Sequence, residues 1–267
     1  EFEIGQKMMS TVDRLLYERY AQIQVIAGED ALMDYALYQL PEMADQIKKR
    51  ITRLSFLTGP WYRLWVVNTE GRIVTATDGN DIGLPVSRSS DASVAFKQAL
   101  AGKTYSSDLV YDLDLGKSSI VYSSPILFEK NGQTLICGVV IGYLAWPIVL
   151  EVLQESQSDT DVILINQKHE IIAQKNKGLP GKQRHRLQLP STTGSAQAPV
   201  ISQIPNLGSQ DMLLARIPQS GYLTFNRKGW SMVTATPNHK IRSEINKTIY
   251  KVILIVLVLG IVASIII

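Results

Sequence analysis

Cysteine is almost absent from this sequence: Cys137 is the single thiol among 267 residues, which excludes an intramolecular disulfide. Its place in the apolar run Ile136-Cys137-Gly138-Val139-Val140 reads as a buried, inert side chain. Histidine is nearly as scarce. His169, His185 and His239 stand far apart, at no metal-ligand spacing, and with one cysteine they build no zinc site, so no metal is expected. An excess of one charge is also lacking. The net charge is +3 and the Lys and Arg residues are scattered, so no basic stripe marks a nucleic-acid surface, and nucleic acid is set aside as a partner.

Catalytic constellations are missing too. Gly116-Lys117-Ser118 has the ending of a phosphate-binding loop, yet Tyr111 stands where such a loop requires Gly. Gly178-Leu179-Pro180-Gly181-Lys182 fails because Gln183 replaces the Ser or Thr that would hold magnesium. Asp112 and Asp114 suggest a calcium loop, but the remaining ligands are absent, and a solvated turn is the simpler reading. No nucleophile paired with a base is recognisable, so this region is not expected to be an enzyme or to hold a cofactor.

What the sequence does contain is concentrated at its ends. After Lys251 it reads VILIVLVLGIVASIII, without a charged residue. A spanning helix needs about 20 apolar residues, so the expectation is a membrane helix cut within its length. A buried helix of a soluble protein is the alternative, disfavoured because soluble helices seldom lack a polar face. Glu1-Phe2-Glu3 opens without the basic and apolar regions of a signal peptide, so export by a removed leader and tail-anchoring in the cytoplasm both stay open.

Between these ends the chain is long enough for one large core or two smaller ones. Ile4, Met8, Val12, Leu15, Leu16, Tyr20, Ile23 and Ile26 recur at helical spacing and predict a long amphipathic helix, whose stripe packs on a sheet or on a partner helix. A second helical stretch carries Met43, Ile47, Ile51 and Leu54 on one face and ends by Gly59-Pro60. The period then changes. Arg63 to Val67 and Arg72 to Ala76 flank a turn, a helix fits Ser93 to Leu100, and strand-like runs follow near Ser107 to Tyr111, Ser119 to Ser124 and Cys137 to Leu144.

Pro147 to Gln154 reads as a connecting helix, after which the pattern restarts. Val66-Val67-Asn68-Thr69-Glu70-Gly71-Arg72-Ile73-Val74 falls in register with Leu164-Ile165-Asn166-Gln167-Lys168-His169-Glu170-Ile171-Ile172. A polar loop from Asn176 to Pro199 and strands near Leu213 to Ile217 and Trp230 to Thr236 complete a reduced copy of the first module. Asn238 to Tyr250 reads as a polar helix leading into the apolar run. The expected class is α+β: a long N-terminal helix, two PAS-like modules with antiparallel sheets, and a C-terminal helix entering the membrane. Its expected divisions are a helical stalk at 1–59, a distal module at 60–146, a connecting helix at 147–158, a proximal module at 159–237, and the helix with its membrane run at 238–267.

This layout resembles the double Cache family of bacterial extracytoplasmic sensor domains over nearly the whole chain. The resemblance is carried by Leu16-Tyr17-Glu18-Arg19-Tyr20, the Asn68 hairpin, Phe96-Lys97-Gln98-Ala99-Leu100-Ala101-Gly102-Lys103, Ser124-Pro125-Ile126, Gly138-Val139-Val140-Ile141-Gly142-Tyr143-Leu144 and Gly229-Trp230-Ser231-Met232-Val233. It implies a small-molecule pocket in the distal module, a proximal module that often binds nothing, and signalling into the membrane. It also implies a homodimer joined along the N-terminal helix. The inner membrane of a bacterium, with the sensor region outside the cytoplasm, is the location implied. Chemotaxis receptors come first as the output, followed by histidine kinases and diguanylate cyclases. A membrane-tethered structural or adhesion module and a tail-anchored enzyme are the rivals.

In the family the pocket is built by the loop before the module helix, that helix and the strands after it, which points here to Arg88, Phe96, Tyr111, Asp112, Tyr122, Ser124 and Tyr143. Arg88 suits a carboxylate or phosphate, and the tyrosines combine ring contact with a hydroxyl. One departure narrows the ligand. Amino-acid-sensing members carry Arg-x-Trp-Tyr at the start of the module helix and an Asp in the last strand. This chain has Ser93-Val94-Ala95-Phe96 and Tyr143 there, and Tyr111 alone matches, so free amino acids are not expected to bind through that clamp.

Overall fold

Helix α1 (Phe2–Ala27) forms where the three-to-four apolar spacing predicts it, and it is the spine of the molecule. The computed structural model describes residues 2–155, 160–177, 181, 183–189, 200–203, 211–238, 243, 245–247, 249–253 and 255. Val12, Leu16, Ile23 and Ile26 are 0 % exposed, so the stripe is consumed inside the chain. Each such side chain contributes roughly 1.5–3 kcal/mol by leaving water. Near its start α1 lies so close to a sheet that a Cβ on Gly5 would stand 2.5 Å from Ile217 Cδ1. Helix α1 also packs on the strands of both sheets. Helices α2 (Asp30–Tyr38) and α3 (Ala44–Thr58) fold back beside α1, and Ile47 and Ile51 on one face of α3 are buried.

The distal sheet contains β1 (Trp61–Asn68), β2 (Ile73–Ala76), β3 (Tyr105–Asp112), β4 (Lys117–Lys130) and β5 (Gln133–Ala145), in the order β2-β1-β5-β4-β3. All its pairings are antiparallel. Strand alternation gives it two buried faces. Leu64, Val66, Ile120, Tyr122, Val140 and Leu144 join the core that includes α1, whereas Trp65, Val67, Val121, Val139, Ile141 and Tyr143 pack with Ala92, Ala95, Phe96 and Ala99 of helix α4 (Ser90–Leu100). The turn between β4 and β5 places Asn131 at φ 53° and Gly132 at φ 74°, the left-handed geometry that an Asn-Gly hairpin favours.

Helix α5 (Pro147–Gln154) leads to β6 (Asp161–Ile165), β7 (Ile171–Gln174), β8 (Val200–Gln203), β9 (Asp211–Pro218) and β10 (Ser231–Pro237). Their order, β7-β6-β10-β9-β8, repeats the first sheet strand for strand. The repeated hairpin has one geometry in both modules. Asn68 Oδ1 accepts from the Glu70 and Arg72 amides at 3.1 and 2.9 Å, and Asn166 Oδ1 accepts from those of Lys168 and Glu170 at 2.9 Å each. Gly71 at φ 81° and His169 at φ 59° occupy the same left-handed position.

The copy is reduced: among the described residues no helix stands in the place of α4, and Leu187 and Leu189 cover that face of the proximal sheet instead. The stretch from Asn238 onward is described only in part. The apolar run beyond residue 255 lies outside the described residues, among which no helix is long and apolar enough to cross a membrane.

Candidate functional site

Strand β1 carries a charge where its pattern demands an apolar side chain. Arg63 shares the α4-facing side of the sheet with Trp65 and Val67, and its side chain is only 6 % exposed. Three things hold it there. Its guanidinium forms a hydrogen-bonded ion pair with Asp112 at the end of β3, and it stands 3.8 Å from Asp81. It also lies over the rings of Trp65 and Tyr143, at 4.6 and 4.3 Å from their centroids. Asp81 is oriented in turn by the Trp65 indole N–H, which donates to its Oδ2 at 2.9 Å. Arg63 Nε remains buried without a hydrogen-bond partner among the described residues, an unsatisfied donor of a kind that native proteins seldom retain.

Outside this buried cluster lies a cavity of about 160 Å³, lined by Arg88, Ser89, Asp91, Tyr111, Asp112 and Asp114 among others. Two local devices shape it. Ser89 caps α4, its Oγ accepting from the Ala92 amide at 3.3 Å, while the Tyr143 hydroxyl donates to the same Oγ at 3.2 Å. The turn after β3 is closed by Asp112 Oδ1, which accepts from the Leu115 amide at 2.8 Å, and by the Tyr111 hydroxyl, which donates to the Gly116 carbonyl at 3.0 Å. Burial pushes the Tyr143 phenol up to about 12, so it is a donor throughout the physiological range. Burial, reinforced by the charge of Asp112, raises Asp91 above the usual carboxylate range. Four carboxylates at positions 81, 91, 112 and 114 face two guanidiniums, so the site as a whole is acidic.

The structure brings together four of the seven side chains singled out from the sequence. Arg88, Tyr111 and Asp112 line the cavity, and Tyr143 sits behind Ser89 in its wall. Phe96 is buried on the same side of the sheet but packs with Val86 beside Gly71 and does not line the cavity. Tyr122 and Ser124 point to the opposite face. The Tyr122 hydroxyl donates to the Leu16 carbonyl of α1 at 3.3 Å, and Ser124 Oγ lies 3.3 Å from Thr104 Oγ1. Arg63, Asp81, Ser89 and Asp91 were not among the seven. Arg63 had a legible signal, a charge on the inward side of an otherwise apolar strand. A wider groove of about 460 Å³ between α2 and α3 is lined largely by charged residues such as Glu29, Asp30, Lys49, Arg50 and Arg53.

Two sheets of identical order along one helix, with a polar cavity under the N-terminus of the distal module helix, form a two-module fold that solved bacterial sensor domains also have. Solved structures of this kind match over almost their full length. The sensor domain of the Vibrio cholerae histidine kinase DctB superposes with a TM-score of 0.66 at 11% identity, covering 88% of this chain and 95% of that one. The sensory domain of the Campylobacter jejuni chemoreceptor Tlp3 gives 0.64 at 14% identity, covering 91% and 94%. The ligand-binding domain of the Pseudomonas aeruginosa amino acid chemoreceptor PctB, in complex with L-Arg, gives 0.60 at 17% identity, covering 92% and 89%. At these identities the likeness is one of fold. All three are sensory or ligand-binding domains rather than catalytic ones. No protein-family model and no curated protein matches the sequence.

Proposed function

We propose that this chain is the sensor region of a bacterial transmembrane signalling receptor, with chemotaxis the first choice of output and a histidine kinase or diguanylate cyclase next. Its distal module binds a small polar molecule. The observation that carries this reading is the polar cavity at the N-terminus of α4, backed by the buried Arg63 and Asp112 pair. Arg88, Ser89, Asp91, Tyr111 and Asp112 are the proposed contacts, with Tyr143 and Arg63 positioning them. The acidic balance favours a ligand bearing an ammonium group over a dicarboxylate. A thermal-shift screen of small amines, carboxylates and amino acids tests this, because a compound present at about 100 times its Kd stabilises by about 2.7 kcal/mol. Stabilisation by an amine that is lost in Asp91→Asn supports the proposal, and a panel without any stabilising compound refutes it.

Free amino acids are not expected to bind through the family's usual clamp, although PctB was solved with L-Arg. Calorimetric titration showing tight amino-acid binding abolished by Tyr111→Ala would overturn that expectation. The proposed location is the bacterial inner membrane, with this region outside the cytoplasm and the stretch after Asn238 leading to the span. A dimer along α1 would use its exposed polar side, including Gln6, Ser10, Arg14 and Glu18, because the apolar stripe is occupied. Cysteines at Ile245 and Ile249, both about half exposed, are expected to change their cross-linking yield when the stabilising compound is added. The rival is a tethered structural module that needs no ligand. The close packing of Arg63 between two rings suits that rival, and the same screen separates the two readings.

A further inference from the structure

Strand β3 lies at the edge of the distal sheet, so among the described residues its outer backbone groups have no neighbouring strand to pair with. The proximal module supplies the partners. The Lys228 ammonium donates to the carbonyls of Ser106, at 3.2 Å, and Ser107, and to Ser106 Oγ at 2.9 Å. The Trp230 indole N–H donates to Asp108 Oδ1 at 2.9 Å, and the Arg184 guanidinium donates to the Leu109 carbonyl at 2.9 Å. All of these contacts fall on the irregular stretch of β3 between Ser106 and Leu109, where the pairing with β4 shifts register. There Ser107 Oγ accepts from the Val121 amide at 2.9 Å.

The gripping loop is itself a closed unit. Gln219 Oε1 accepts from the Lys228 amide at 2.6 Å, while Asp13 of α1 accepts from Gln219 Nε2 at 2.6 Å and from the amides of Ser220 and Gly221 at 3.2 and 2.9 Å. Beyond Trp230 the chain runs directly into β10, the last strand before the C-terminal stretch. In the other direction, β3 runs from Leu109 to Tyr111 and Asp112 at the cavity. One strand therefore carries the candidate site at one end and the grip of the other module at the other.

We propose that Lys228, Trp230 and Arg184 form a clamp on β3, through which a displacement at the cavity is passed to the loop at 219–230 and to β10. Its signalling role rests on the cavity being the ligand site. The mechanical coupling does not. A bulged edge strand suits this task, since it is held by side chains from outside its sheet and can shift without breaking a two-sided ladder.

Hydrogen exchange on the whole chain, without ligand, tests the coupling. Lys228→Met is expected to speed exchange of the amides at 110–112, beyond the gripped residues, and reciprocally Asp112→Asn should speed exchange at 219–231. Both effects should reach at least about fivefold, the lower end of coupling between distinct sites, and the double variant should show less than the product of the two. The hairpin at 161–174 should be unaffected. If Lys228→Met loosens that hairpin too, Trp230→Phe, which keeps an aromatic side chain but removes the N–H together with the five-membered ring, is expected to reproduce the pattern on a smaller scale. Acceleration confined to 105–109, or two effects that multiply independently, overturns the clamp. Coupling without any stabilising compound sinks the sensing reading alone, and a binder without coupling sinks the clamp alone.

Discussion

Replacing Arg63 by Met strips one partner from a pair whose side chains are each 6 % exposed. Met restores most of the lost volume and the stem still packs between Trp65 and Tyr143, so the change is mainly electrostatic. Asp112 is left buried with one amide donor, that of Leu115. An uncompensated buried charge of this kind costs about 3–5 kcal/mol, and loss of the guanidinium from two rings adds roughly 0.5–2 kcal/mol. For a chain of this size the leading cost alone lowers the unfolding midpoint by roughly 6–20 °C. The assay is thermal or urea unfolding of wild type, Arg63→Met, Asp112→Leu and the double variant. The double variant is expected to lie within about 2 kcal/mol of wild type, because a buried pair replaced by apolar side chains is often neutral. A single variant that loses less than about 1 kcal/mol, or a double variant equal to the sum of the singles, would refute the reasoning.

Asp13→Asn removes acceptor capacity from a carboxylate that serves three donors, and a loss of about 1–3 kcal/mol is expected by urea unfolding. Because Gly71 and His169 share a left-handed position, Gly71→Ala should cost about 1–2 kcal/mol, whereas His169→Gly should be neutral or stabilising. The reverse order would show that the two hairpins are not equivalent. Burial pushes the Lys228 ammonium down to about 8, the charge of Asp108 acting against it, with Tyr105 and Arg227 lining a separate pocket beside it. The unfolded chain holds that proton up to the ordinary value of 10.5, so between these limits it binds more protons than the folded chain, and folding gains with rising pH. The midpoint difference between wild type and Lys228→Met should be flat below pH 8 and move in favour of wild type above it. A fall across that window contradicts the assignment.

The two-module layout was legible because hydrophobic periodicity and one repeated turn suffice for it. Asn68 and Asn166 each close their hairpin with the same pair of side-chain hydrogen bonds, and such a turn is specified by local sequence. The apolar run at Pro147–Gln154 is helical as its pattern predicts, while the division drawn around it extends to 158, and α4 begins three residues earlier than expected because Ser89 caps it. Strands β4 and β5 run past the expected ends to meet at Asn131-Gly132, a turn signal in plain view. Strand β8 was not foreseen, since it follows a long stretch rich in Gly, Pro and Ser.

The site was less legible because it depends on which face of each strand meets which helix. Tyr122 and Ser124 alternate with Val121 and Ser123, and strand parity puts the two pairs on opposite faces. Only the course of α1 across the sheet decides which pair faces α4. The apolar stripe of α1 posed the same problem: its spacing fits a partner helix as well as a sheet, and the structure spends it on the chain's own two sheets. Arg63 was visible as an anomaly, but its partners Asp81 and Asp112 are brought to it by tertiary folding alone.

A sensor must receive a small molecule in the cavity beside Arg88, Asp91 and Asp112. Calorimetric titration of the chain with the compound that stabilises it most in the thermal-shift screen measures this directly, with Asp91→Asn titrated in parallel. A saturable single-site isotherm for wild type, weakened at least about tenfold in the variant, is the predicted result, equivalent to about 1.4 kcal/mol. Binding of equal strength in both proteins, or no heat of binding in either, would contradict it.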